Sequence, residues 1–313
     1  MSVVKDENIL AALRAAKLKG KRLAYTVVGA GNGGLAMAGH LGLMGFPVTL
    51  YNRTAEHLAG VRWRGGIDLK GAVSGFGPVA RVSSDIAGAL EGADVVMVVT
   101  PSTAHRALAE AMAPHLKDGQ VVVLNPGRTG GALEFKKTLR DSKAPGKPLV
   151  AEAQTFIYAS RAVSRHEAYI FRIKNGVPLA TLPAFWTPEV LGLLELAYPQ
   201  FSAGGDVLST SMPLVGPAVY RRLFAALATR ESEGLLSVPL FASFRGEAGH
   251  PVFVPASLAP RIAALPPGGK LRPFLLKENP QFVECSDESV LLDLDDRAAY
   301  EAALEKGSLR RSR

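Results

Sequence analysis

The chain has 313 residues, 48% hydrophobic and 20% charged, enough for one large core plus a smaller second unit, which excludes a short peptide or a disordered tail. No apolar run approaches a membrane span, and the start, MSVVKDENIL, lacks a basic and then apolar leader pattern, so neither insertion nor secretion is expected. One cysteine, Cys285, excludes an internal disulfide framework and any multi-cysteine metal site, and makes a reducing cytoplasm the expected compartment.

The net charge of +8 resides at the ends. Residues 1–22 carry +4 and residues 306–313 another +4, so everything between sums to zero. Two solvated basic tails give salt-sensitive attraction to any polyanion, and with no basic groove interleaved with aromatics no specific nucleic-acid partner is expected.

In chain order, a helix with apolar Ile9, Leu10 and Leu13 and Asp6 as N-cap comes first. Strands are then expected at 23–28, 47–51, 93–99, 120–124 and 148–152, with helices at about 33–45, 102–113 and 130–140. This alternation predicts an α/β fold, a doubly wound parallel sheet of Rossmann type. EAYIFRIK and VPLATLP read as further strands, 187–197 as a short helix, and PQFSAGGD as a loop. The boundary is placed there: residues 1–205 form a dinucleotide-binding domain with its N-terminal helix, and 206–313 a smaller α/β unit ending in a basic tail. That unit reads as a helix (217–228), a strand (SVPLF), a loop carrying GEAGHP, a helix near 256–264, strands at FVEC and VLLDL, and a final helix.

Gly29-Ala30-Gly31-Asn32-Gly33-Gly34 falls between an expected strand and an expected helix, the context that gives GxGxxG meaning. Gly29 permits the tight turn, Gly31 lets a pyrophosphate approach the backbone, and Gly34 lets the helix pack on the sheet. The second strand, which in NAD-binding folds ends in an acid for the ribose, ends here in Tyr51-Asn52-Arg53-Thr54. A neutral Asn52 followed by Arg53 and Thr54 favours a 2′-phosphate, so NADP is the expected cofactor, with NAD as the alternative. The competing account is that Asn52 or Thr54 only caps the helix beginning near Ala55. Two later strand ends point to the same crevice: Thr100-Pro101-Ser102, and Asn125-Pro126-Gly127-Arg128-Thr129-Gly130-Gly131, the second offering amide donors and a guanidinium to an anion. His105 either approaches the crevice or decorates a helix face. The other histidines show no metal-ligand spacing, and no metal is expected.

GAGNGG, VLNPGRTGGALEF, AEAQTFIYASRAV and IFRIKNGVPLATLPA together resemble the NAD(P)-dependent opine dehydrogenases, relatives of octopine and nopaline dehydrogenase, over residues 22–205. The resemblance implies reductive condensation: an amino acid and a 2-keto acid form an imine, which hydride reduces to a secondary amine. It also implies that the segment 152–161, with Glu152, Gln154, Tyr158 and Ser160, faces the substrate cleft. The family's second domain opens with an asparagine and then a His-Pro pair whose histidine acts as acid/base. Gly216 and Tyr220 stand at those places, so catalysis is expected to be impaired; His250, in the chain's one His-Pro, is the alternative donor.

Residues 207–305 resemble instead the C-terminal half of molybdenum-cofactor cytidylyltransferases, in SMPLVGPAVYRRL, RGEAGHPVFVP, PPGGKLRPFL and VLLDLDD. That pattern has an aspartate before Met-Pro as a magnesium ligand, where this chain has Ser211, and a Gly-Asp pair where Gly268-Gly269 stands; Asp293 and Asp295 match. The expected function is therefore an NAD(P)-dependent oxidoreductase acting on C–N bonds, with amino acid and 2-keto acid as small-molecule partners. A homo-oligomer is compatible with it. The alternatives are a non-catalytic NADP-binding protein and a nucleotidyltransferase-related protein.

Overall fold

The computed structural model describes residues 6–128, 130–211, 217–232, 237–266 and 270–291. Two compact units divide the chain, Met1–Ser211 and Met212–Arg313.

In the first unit α1 (Glu7–Leu18) starts at Asp6, whose carboxylate accepts the N–H groups of Asn8 and Ile9, and it buries Ile9, Leu13 and Ala16. Then follow β1 (Tyr25–Val28), α2 (Asn32–Leu43), β2 (Val48–Tyr51), α3 (Ala59–Arg64), β3 (Gly66–Gly71), β4 (Gly75–Pro78), β5 (Arg81–Ser83), α4 (Ile86–Leu90) and β6 (Val95–Val98). The chain continues through α5 (His105–Met112), β7 (Val121–Leu124), α6 (Gly131–Asp141), β8 (Leu149–Ala153), β9 (Tyr158–Ala162), β10 (Glu167–Ile173), β11 (Val177–Leu182), α7 (Thr187–Leu194), β12 (Phe201–Ala203) and α8 (Val207–Ser211).

An eight-stranded sheet in the order β12-β11-β8-β7-β6-β1-β2-β5 forms the frame. From β8 to β5 the pairs are parallel, in register at Tyr25↔Val48 and Tyr25↔Val95, while β11 runs antiparallel to β8 and carries β12 parallel to itself. Alternate residues feed two cores: Val95 and Met97 pack on the side of α1, α2 and α7, Val96 and Val98 on the side of α5 and α6. Covering on both faces is why VVMV and VVVL are unbroken apolar runs rather than alternating ones. The fold is thus α/β, a doubly wound Rossmann-type sheet.

A second sheet, β4-β3-β10-β9, lies on the far side of α2. Sandwiched between two sheets, α2 buries Leu35, Ala36, Met37, Ala38 and Leu41, with no polar stripe. Small residues make this approach feasible: a β-carbon on Gly77 would lie 1.8 Å from the Gly39 carbonyl oxygen. This sheet and its strands β3, β4 and β9 have no counterpart among the elements expected from the sequence; EAYIFRIK is β10, a strand as expected, and PQFSAGGD, expected to be a loop, holds β12.

In the second unit, α9 (Pro217–Ser232) precedes β13 (Leu240–Phe244), β14 (Glu247–Phe253), α10 (Ala259–Ala263), α11 (Leu271–Leu275) and β15 (Gln281–Glu284). The three strands form a sheet ordered β14-β13-β15, antiparallel then parallel, so this smaller unit is α/β as well. GEAGHP, read as a loop, is most of β14. Its hairpin turns at Arg245 and Gly246, both at positive φ, and Glu284 ties the turn down by accepting from Ser243 Oγ and the Arg245 and Gly246 N–H groups. Leu223, Leu240 and Val283 pack on one side, Phe241, Leu258 and Leu275 on the other. The segment read as a strand at VLLDL begins as a 3-10 turn, Glu288–Leu291; its remainder and the expected final helix lie outside the described residues.

Candidate functional site

The glycine turn after β1 is shaped by steric necessity at both ends and is open in the middle. Gly29 has φ +112°, and a β-carbon there would lie 2.5 Å from the Val99 carbonyl oxygen. At Gly34 a β-carbon would lie 1.7 Å from the Gly29 oxygen, so this residue lets α2 pack on the turn. Gly31, the N-cap of α2, differs: a β-carbon there meets nothing within 4 Å. No side chain caps α2, and the N–H groups of Asn32, Gly33 and Gly34 have no protein acceptor among the described residues. Free amides at a helix N-terminus are a site for a phosphate oxygen. Asn32 itself serves as a clamp: its Oδ1 accepts the Ala162 N–H at 2.9 Å and its carbonyl accepts Ser160 Oγ at 3.2 Å, fastening β9 to the turn. Gly33 faces the Phe156 ring and Val99.

At the end of β2, Asn52 Oδ1 accepts the Ala30 N–H at 3.3 Å and Nδ2 donates to the Thr54 carbonyl at 3.1 Å. The amide thus braces the turn from both its ends, which a carboxylate, having no donor, could not do. The short 3-10 turn Ala55–Leu58 that follows has no side-chain cap, so the capping account of Asn52 and Thr54 does not describe this structure. Arg53 and Thr54 are exposed. Gly29, Tyr51, Asn52, Arg53, Thr100 and Thr103 line a cleft of about 420 Å³. Burial pushes the Tyr51 phenol up and the Arg53 charge draws it partly back. Thr100 Oγ1 is buried there with no hydrogen-bond partner among the described residues, and Pro101 is exposed beside it. A larger hollow of about 760 Å³ is lined in part by His115, Lys117 and Gly146, on the segments leading into β7 and β8, the strand-start edge at which such folds do not bind ligands.

The loop after β7 looked equivalent in sequence and is not. Its Gly130 N–H donates to Ser211 Oγ at 2.9 Å, its Gly131 N–H to the Gly127 carbonyl at 2.7 Å, and the Ala132 N–H to Glu152 Oε2 at 2.9 Å. These amides are satisfied internally, which corrects the expectation that they await an anion. Glu152 is wholly buried, and Thr210 Oγ1 and Ser211 Oγ both donate to its Oε1, at 2.7 and 2.6 Å. Burial raises its carboxyl above the ordinary range, opposed by these three bonds. Gly127 abuts Glu152, since a β-carbon there would lie 2.3 Å from the Glu152 β-carbon. Asn125 is buried, its Nδ2 donating to the Val123 carbonyl while Oδ1 has no partner among the described residues.

The segment 152–161 therefore does not face a cleft as one surface. Glu152 belongs to the α6 network. Tyr158 is buried and donates to Tyr198 Oη at 3.0 Å, with His40 Nδ1 2.8 Å from its oxygen. Burial pushes both phenols up and the His40 imidazole down, so this trio is uncharged at neutral pH. His105, expected at the crevice or on a helix face, is buried at the start of α5 against Gly131, burial lowering its imidazole pKa, with neither ring nitrogen bonded among the described residues. Sequence reasoning missed Phe156, which stands over Gly33, and Lys174, which donates to Thr155 Oγ1 at 2.6 Å. The signal for the lysine was a cation ending a strand (β10) just before the crossover to β11.

Ser211, at the position of a magnesium-binding aspartate in the nucleotidyltransferase pattern, is buried and bonded to Glu152; an aspartate there would set two carboxylates together. Gly216, Gly268, Gly269, Asp293 and Asp295 lie outside the described residues, and Tyr220 is placed only as part of α9. His250 is exposed on β14 of the second unit. Cys285 is buried, and burial raises its thiol. Among the described residues no three His, Cys, Asp or Glu side chains form a metal-holding group, and no helix is long and apolar enough to cross a membrane.

Residues 24–126 match the family described as NAD-dependent glycerol-3-phosphate dehydrogenase N-terminus. An opine dehydrogenase from Arthrobacter sp. (strain 1C) is 34% identical over 197 residues, which cover 63% of this chain and 55% of that protein. A glycerol-3-phosphate dehydrogenase [NAD(P)+] from Afipia carboxidovorans is 34% identical over 228 residues, covering 67% of this chain and 66% of that one. The chain therefore spans just over half and just under two thirds of these two relatives. Among solved structures, octopine dehydrogenase with NADH and L-arginine aligns with a TM-score of 0.53 at 21% identity, over 60% of this chain and 50% of that one. The same enzyme with NADH and pyruvate aligns at 0.50 and 19%, over 67% and 56%. At these identities the structural likeness concerns the fold, and it agrees with the sheet described above.

Proposed function

We propose that the protein is an NAD(P)-dependent oxidoreductase of opine dehydrogenase type that prefers NADP and reduces the imine of an amino acid and a 2-keto acid. The observation that carries this reading is the open, uncapped turn at Gly31, at the C-terminal edge of a doubly wound sheet. Gly29, Gly31, Asn32, Gly33 and Gly34 would hold the pyrophosphate, with free amides at the first turn of α2. Asn52, Arg53 and Thr54 would surround the ribose phosphate, and Thr100 and Pro101 would line the way toward the nicotinamide. Thr100 Oγ1, buried and unpartnered, fits a group that still lacks its hydrogen bond. Asn125 and Gly127 would contribute through shape and the free Asn125 Oδ1 rather than through amide donors. The cofactor supplies hydride; the chain's own task is to orient the imine carbon and bind carboxylates.

A second reading, non-catalytic NADP binding, is favoured by one observation: the sequence has Tyr220 where the opine dehydrogenase pattern has its histidine. A phenol with an ordinary pKa near 10 exchanges protons poorly at neutral pH, so imine reduction about 100-fold below a histidine-bearing relative is expected. The test is NADPH oxidation against panels of amino acids and 2-keto acids. Turnover requiring both supports the first reading, and binding without turnover the second. Oxidation of glycerol 3-phosphate with NADP⁺ and no amine would replace imine chemistry by carbonyl chemistry.

A further inference from the structure

Resting on the dinucleotide reading, we infer that Lys174, held by Thr155 and accompanied by Arg128, is the anchor for a carboxylate of the 2-keto acid at the nicotinamide end of the crevice. Three chain segments meet there. The loop after β7 is tied to the end of β8 by the Gly127 N–H donating to the Ala153 carbonyl at 3.2 Å, and Arg128 is the next residue. The segment after β8 carries Thr155 and Phe156, and the Phe156 ring stands over Gly33 and beside Val99, so this segment borders the glycine turn. The end of β10 joins them, since the Lys174 N–H donates to the Ile157 carbonyl at 2.9 Å and its Nζ donates to Thr155 Oγ1 at 2.6 Å.

Location joins charge in marking this cluster: Lys174 is a half-buried cation beside the segment that borders the glycine turn. Several other lysines and arginines of the unit face a carboxylate, as Lys19 does Asp94 and Lys70 does Glu167. Lys174 and Arg128 have no acidic partner among the described residues, and the Glu152 carboxyl, against Gly127, has its oxygens occupied by Ala132, Thr210 and Ser211. Lys174 is half-buried, and burial together with the Arg128 charge holds its ammonium below the ordinary lysine range. Two cations near one another and short of an anion destabilise each other until an anion sits between them; a bound carboxylate relieves both burial and repulsion. Thr155 takes one of three ammonium protons and fixes the direction of the others, as a specificity-giving contact requires.

The experiment is calorimetric titration of pyruvate, with inorganic phosphate as second probe, into protein saturated with NADP⁺. Pyruvate is expected to bind the wild type, at least tenfold more weakly to Lys174→Met, and with partial recovery in Lys174→Arg, at unchanged NADP⁺ affinity. The exposed Arg128 allows a second variant whatever the fate of the first. Arg128→Met should weaken pyruvate binding but move its alkaline loss to higher pH, because Lys174 then keeps its proton longer; a lysine that only braces Thr155 would show no such movement. Undiminished pyruvate binding by Lys174→Met, or absence of pyruvate binding in the wild type, overturns the assignment. Phosphate binding through Lys174 more tightly than pyruvate overturns the carboxylate in favour of a phosphorylated substrate. Failure of the dinucleotide reading would register separately, as no heat with NADP⁺, and the anion titrations, run on the unliganded protein, carry the same outcomes.

Discussion

Two loops of the first unit follow one formula, a buried strand, a glycine-bearing turn and a helix start, and they do opposite things. After β1 the turn at Gly31 is open and the first amides of α2 are unsatisfied; after β7 the amides leading into α6 are taken by Gly127, Glu152 and Ser211. The backbone is equally capable of holding an anion in both places. What differs is the neighbour behind it: β8 sets the Glu152 carboxyl against α6, so the acceptor oxygens an anion would bring are already built into the chain. A helix N-terminus is a binding site only when the fold has not filled it.

The largest test of this contrast is Gly34→Val, which forces a β-carbon into the Gly29 carbonyl and should cost about 3 kcal/mol or more, or prevent folding. An unchanged denaturation midpoint would mean that α2 does not rest on the turn. Glu152→Leu should follow at about 3 kcal/mol, because it leaves the Ala132 N–H and the Thr210 and Ser211 hydroxyls buried without their acceptor. Glu152→Gln separates the charge from the packing. With its folded carboxyl raised above the unfolded value, Glu152 keeps a proton that the unfolded chain releases near pH 4.3, so stability falls as pH rises from there through the folded pKa. Melting temperature followed against pH should lose that slope in Glu152→Gln; a slope unaltered by the substitution assigns it to other groups.

Gly31→Asp completes the contrast from the other side. Open space and an ordinary φ at Gly31 let the fold accept the side chain, while its charge would face the pyrophosphate. Circular dichroism should be unchanged and dinucleotide affinity should drop by at least about 2 kcal/mol, roughly thirtyfold. Equal affinity in the folded variant removes the site from this turn.

Much of the frame was legible in the sequence because strands covered on both faces are continuous apolar runs: the expected 93–99 and 120–124 enclose β6 and β7, and Asp6 caps α1 as read. The second sheet was not, because β3 and β4, GIDLKG and GFGP, are glycine-bearing and partly exposed; the close approach of Gly77 in β4 to Gly39 is visible only with α2 between two sheets. The glycine turn was legible as a motif. The closure of the loop at 125–131 was not, because it depends on Thr210 and Ser211 returning some 80 residues later to meet Glu152. Lys174 was hidden for the same kind of reason: its partners Thr155 and Arg128 are brought to it by tertiary structure.

The smallest effect concerns which dinucleotide the open turn prefers. Asn52 is committed to Ala30 and Thr54, so it braces the turn whichever cofactor is bound, and discrimination falls to Arg53 on the rim of the cleft. Arg53 is exposed, and a charge-assisted bond to a 2′-phosphate at such a position is screened by solvent, so its loss should cost about 1 kcal/mol, roughly five- to tenfold. Arg53→Ala is therefore expected to weaken NADPH by that factor and leave NADH unchanged, with a difference that shrinks as salt is raised. Parallel titrations at low and high ionic strength decide it: equal losses for both cofactors would make Arg53 a structural residue of the rim, and an NADPH loss insensitive to salt would place the phosphate away from the solvent-screened rim.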